Sequence, residues 1–121
     1  MRESGLSPWG RGDAGFITES QTIDRYFELA TLADSEPYFA LFAPDAIVED
    51  EGHEYRGIDE IRRWRTELPQ VHYDVLSVVE SGAGSTATAQ ISGDFPGSPV
   101  NLSYWFELSQ DGRIAVLRIR V

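Results

Sequence analysis

Leu41-Phe42-Ala43-Pro44-Asp45-Ala46-Ile47-Val48-Glu49-Asp50-Glu51-Gly52, residues 41–52, decides how the chain folds. Pro44-Asp45 is a helix stop, so the apolar positions before it (Pro37, Tyr38, Phe39, Leu41, Phe42) are predicted to form a short helix behind a Ser35 cap. Beyond the stop, residues 46–50 alternate as a strand. Glu51-Gly52 turns the chain, and residues 53–56 return as the second arm of a hairpin.

The pattern extends in both directions. Upstream, Thr18-Glu19-Ser20-Gln21 reads as a capping box, followed at helical spacing by Ile23, Tyr26, Phe27, Ala30 and Ala33. Downstream, Gly57 precedes a third helix with Ile61, Trp64 and Leu68 on one face and Pro69 as its end. The period then changes to two. Val71, Tyr73, Val75 and Val79 alternate with polar residues up to a Gly-rich turn at 81–84. Residues 85–95 form a Thr/Ala-rich strand, and Val100, Leu102, Tyr104, Phe106 and Leu108 share one face of the next. Asp111-Gly112 turns into a last strand over 113–121. Three N-terminal helices on a mostly antiparallel sheet make an α+β fold. Residues 1–17, rich in Gly and polar side chains, are predicted to be a flexible arm, and residues 18–121 a single domain.

Composition narrows the chemistry. The chain has 121 residues, 20 acidic and 10 basic, for a net charge of −10. Every basic residue is Arg and there is no Cys, so lysine Schiff bases, thiolate nucleophiles and disulfides are excluded. An acidic surface repels phosphate backbones and anionic lipid, so neither nucleic acid nor a membrane is an expected partner. No apolar run is long enough to span a bilayer, and the absence of an apolar leader points to a cytoplasmic protein. Arg11-Gly12-Asp13 and the sequon at Asn101 are read as chance patterns, and Trp9 as an aromatic in the arm.

The order of elements, with Leu41-Phe42-Ala43-Pro44-Asp45-Ala46 leading into Val48-Glu49-Asp50 and then Tyr55-Arg56-Gly57, resembles the NTF2-like superfamily over about residues 18–121. SnoaL-like polyketide cyclases and ketosteroid isomerases are the relatives it most resembles. The resemblance implies a cone-shaped fold with a curved sheet. It also implies that Tyr26, in the Arg25-Tyr26 pair, is an oxyanion donor, and that Asp50, 24 residues later, is a base. The sequence departs from the isomerases at two places. Tyr104 stands where they carry a second, protonated acid, and Arg65 where they carry a supporting tyrosine.

Read without the family, Asp50 shares strand parity with Ala46 and Val48 and so points to an apolar side, where burial favours a proton-accepting carboxylate. The competing reading makes it an exposed strand-end acid. Tyr26 lies on the apolar face of its helix, as a cavity donor or as core, and Tyr104 is assigned a lesser donor role. Trp64, Phe42, Leu102 and Phe106 are assigned to the walls of an apolar pocket, with plain core as the alternative, and His53 to its mouth as an acid partner of Asp50. Glu49, Asp50, Glu51, His53 and Glu54 lack the spacing of a metal loop, so neither a metal nor another cofactor is expected. Trp105, Val116 and Ile114 are assigned to an outer face where two copies pair as a homodimer. The function these residues point to is proton abstraction α to a carbonyl in a small hydrophobic molecule. The alternative is a ligand-binding or interaction module without chemistry.

Overall fold

A computed structural model describes residues 19–32 and 35–121. The capping residue Thr18, the arm, Trp9, Ala33 and Asp34 lie outside the described residues. Among the described residues three helices, α1 (Glu19–Ala30), α2 (Glu36–Phe39) and α3 (Gly57–Thr66), pack with six strands. The strands are β1 (Phe42–Asp50), β2 (His53–Arg56), β3 (Val71–Ser81), β4 (Gly84–Gly93), β5 (Val100–Leu108) and β6 (Ile114–Arg120). They form one curved open sheet in the order β2-β1-β6-β5-β4-β3. Among the described strands the β1–β6 pair alone is parallel, and the other pairs are antiparallel. The expected α+β architecture is present.

The α1 stripe buries Ile23, Tyr26, Phe27, Leu29 and Ala30 against the sheet, while Asp24, Arg25 and Glu28 stay in solvent. α2 is shorter than its sequence suggests. It ends at Phe39, Phe42 is already strand, and Ser35 makes no side-chain cap. Pro44 explains the irregular start of β1: it cannot donate to the ladder, and the register with β6 shifts between Phe42 and Ile47. Glu51 (φ +53°) and Gly52 (φ +79°) are both left-handed, as a two-residue hairpin turn with the right twist requires. α3 carries Asp59 and Glu60 in its first turn and Arg63 and Arg65 in its last, matching its dipole. The Arg56 amide donates to Glu60 Oε1 at 2.7 Å and so ties down the helix start.

Two further details differ from the period-two reading. A bulge between Val75 and Ser77 inverts the parity of β3, so Val78 turns inward to pack on the core and Val79 is left exposed. Ile114 is fully buried on the inner face, so it cannot join Trp105 and Val116 on the outer one. On that outer face the Trp105 indole N–H donates to Glu107 at 2.7 Å, and Arg118 bridges Glu107 and Glu49.

β4 passes very close to β5 at Gly84. A Cβ there would collide with the Phe106 carbonyl oxygen and the Trp105 ring. Gly84→Ala is therefore expected to destabilise the domain by about 1–3 kcal/mol through a forced backbone shift. Urea denaturation measures this, and an unchanged midpoint would contradict the close approach.

Candidate functional site

The open end of the sheet and the C-terminal end of α3 enclose a cavity of about 730 Å³. Leu68, Val71, Ile91, Phe95, Val100, Leu102 and Ile119 give it apolar walls, and Tyr26, Tyr73 and Tyr104 bring phenols to it. Asp50 enters from the tip of β1, beside Trp64 from α3. The charged side chains along its edge are Glu49, Glu51 and Arg120, and Arg120 is paired to Glu49 at 3.1 Å.

Five of the residues singled out from the sequence converge here: Asp50, Tyr26, Tyr104, Trp64 and Leu102. Three do not. Phe42 and Phe106 share the expected face but lie beneath Tyr26, in solid core, with ring centroids 6.4 and 5.3 Å from its own. His53 is exposed across the hairpin from Asp50 and does not line the cavity. Strand alternation also separates the acidic cluster. Asp50 faces Trp64, Glu49 pairs with Arg118 and Arg120, and Glu54 pairs with Arg56. Among the described residues no group of His, Asp and Glu is placed to hold a metal ion.

Asp50 is half-buried, and burial is the main cause that raises its carboxyl above the ordinary value. The Trp64 indole N–H, 3.0 Å from Oδ2, opposes that rise; Glu51 adds to it and His53 subtracts. The three tyrosines of the cavity are also shifted upward, each chiefly by burial. They hold their protons and can donate hydrogen bonds rather than ionise. The Tyr26 and Tyr38 hydroxyls are hydrogen-bonded to each other at 3.2 Å. Tyr38 lies wholly below the site, with the Arg65 guanidinium 4.7 Å from its ring centre. The charge of Arg65 and a hydrogen bond from it partly offset the upward shift of Tyr73.

Sequence reasoning missed Tyr73 and Tyr38 as parts of this arrangement. The parity of Val71, Tyr73 and Val75 could have nominated Tyr73. Tyr38 meets Tyr26 only through the packing of α2 on α1, a contact with no local signal.

The family model described as the SnoaL-like domain matches residues 23–117. A candidate polyketide cyclase from Sinorhizobium meliloti is 36% identical, with a TM-score of 0.76 over 82% of this chain and 93% of its own. A protein of ketosteroid isomerase-like fold from Catenulispora acidiphila, solved with trimethylamine, is 18% identical, with a TM-score of 0.71 over 86% of this chain and 87% of its own. An NTF2-like protein of unknown function from Cytophaga hutchinsonii is 13% identical, with a TM-score of 0.72 over 86% and 89% of the two chains. The latter two share the fold. No curated protein matches the sequence.

Proposed function

Because the chain belongs to the SnoaL-like domain family, with the NTF2-like fold, we propose that it is an enzyme that removes a proton α to a carbonyl in a small hydrophobic molecule. The observation that carries this reading is a half-buried carboxylate, Asp50, in an apolar cavity that also holds phenolic donors. Asp50 takes the α proton, and the electrons of the broken C–H bond move onto the carbonyl oxygen as an enolate. Tyr26, with Tyr104 beside it at a ring separation of 6.1 Å, donates to that oxygen. The enolate then collapses in one of three ways. It takes the proton back at another carbon, attacks a second carbonyl, or expels a leaving group as the C=C bond forms.

The cavity size fits a ligand of two to four rings. Among the described residues its one cationic lining residue, Arg120, is already paired, which supports an uncharged substrate. The test is hydrogen–deuterium exchange α to the carbonyl of 1-tetralone and larger ring ketones in D2O, followed by proton NMR. The protein is expected to accelerate exchange. Binding without acceleration across the panel would leave the non-catalytic ligand-binding reading in its place. Tyr26→Phe removes the donor but keeps the ring and is expected to slow exchange by about 10²–10³-fold. An unchanged rate in that variant assigns the oxyanion elsewhere.

A further inference from the structure

Asp50 closes a two-residue hairpin opposite an exposed His53, a place where a carboxylate ordinarily points into water. It does not do so here because α3 reaches over it. Ile61 and Trp64 are the buried residues of that helix, and Trp64, only 2% exposed, puts its indole N–H 3.0 Å from Asp50 Oδ2. The indole itself is fixed by the core and by Tyr55, whose ring lies 6.1 Å away. Among the described residues no other group donates a hydrogen bond to this carboxylate. Indole nitrogen only donates, so the bond has one sense and does not reverse when the ligand changes.

We propose that Trp64 is the positioning residue of the site: its indole N–H holds Oδ2 of Asp50 and so leaves Oδ1 as the atom that receives the substrate proton. The inference rests on the reading of Asp50 as base. Trp64 lines the cavity, as its sequence position implies, and its nitrogen gives it a second task. A donor to the ionised carboxylate favours that form against burial, so the base stays unprotonated to lower pH than burial alone would allow. Other groups bear on the same carboxylate. Glu51 and His53 flank it on the hairpin, and Tyr38, Tyr73 and Tyr104 feel its charge from α2, β3 and β5. Glu49 beside it is paired to Arg118 and Arg120. None of these supplies a fixed hydrogen bond to the carboxylate.

The unmodified protein provides the first test. The Nε1–H proton resonance of Trp64 is expected to shift with pH at the same midpoint as the Asp50 carboxyl carbon, and a flat indole resonance overturns the inference. In Trp64→Phe, which keeps an aromatic ring without the N–H, the Asp50 midpoint is expected to rise by about one pH unit. The acid limb of the tetralone exchange profile should move with it, and the plateau at high pH should fall as the carboxylate loses its fixed orientation. A merely structural role lowers the rate without moving the Asp50 midpoint or the acid limb, and that result also overturns the inference. Asp50→Asn separates the two levels. Its inactivity together with a flat indole resonance defeats only the role of Trp64, whereas full activity defeats the reading of Asp50 as base.

Discussion

Asp50→Asn is expected to slow α-proton exchange by about 10²–10⁴-fold, the usual worth of a general base. The fold should survive intact. Asn presents a carbonyl oxygen to the Trp64 indole, so the one hydrogen bond that holds the side chain can persist at its 3.0 Å geometry. Ligand affinity should change little, because the apolar walls supplied by Leu68, Val71, Phe95, Val100 and Leu102 are untouched. Stability is expected to move in the opposite direction to activity. The carboxyl of Asp50 is raised in the fold by burial, so its protonated form is the better tolerated one. The wild-type stability it contributes is present at low pH and is lost as the pH rises through the folded value. At neutral pH the variant should therefore be at least as stable as the parent, with a flatter dependence above the carboxylate range. Urea titrations across pH measure this. A variant that is both fully active and less stable at neutral pH would show that Asp50 is neither the base nor under a burial penalty.

Much of this arrangement is legible in the sequence because it depends on local periods. The stripe of Ile23, Tyr26, Phe27 and Ala30 defines α1, and the parity of Ala46, Val48 and Asp50 turns the carboxylate inward. The parity of Leu102, Tyr104 and Phe106 likewise places all three on one face. Parity does not give depth, however. Leu102 and Tyr104 meet the cavity, while Phe106, two residues further along the same strand, is covered by Tyr26 and Phe27. That difference depends on where α1 crosses the sheet, which no single segment encodes. Irregularities escape for a related reason. The bulge after Val75 reverses Val78 and Val79, and the shift around Pro44 displaces β1, each through pairing with a distant strand. The indole–carboxylate bond joins residues 14 apart on different elements, so Trp64 looks like any other wall residue until the two are seen together.

The phenols of the cavity stand on an aromatic floor, and that floor sets the orientation of their rings. Tyr26 contacts Phe27, Tyr38, Tyr104 and Phe106 at centroid separations of 5.0–6.1 Å, with the two phenylalanines edge-on and the two tyrosines tilted. Edge-to-face packing fixes a ring in orientation as well as position, beyond the area it buries. The phenolic oxygen is then aimed by hydrocarbon, with the Tyr38 hydroxyl as its one hydrogen-bond partner among the described residues.

Phe106→Ala is accordingly expected to cost about 3–5 kcal/mol, the range for deleting a large buried aromatic. The ring is 0% exposed, meets Tyr26 edge-on at 5.3 Å and lies nearly parallel to Tyr104 at 6.4 Å. The loss should be visible as a lower urea midpoint, and any remaining folded protein should exchange tetralone more slowly because both phenols lose a neighbour that orients them. Phe106→Leu fills most of the volume and should restore the larger part of the stability while recovering less of the rate, since an aliphatic side chain has no ring edge to offer Tyr26. The two variants together decide between core and cavity wall. A wall residue facing an empty hollow could be cut back to alanine for less than about 1 kcal/mol, with a larger ligand admitted in its place. If Phe106→Ala behaves in that way, the phenyl ring belongs to the substrate's surroundings, as its strand parity alone suggested, and the floor on which Tyr26 rests must be sought elsewhere.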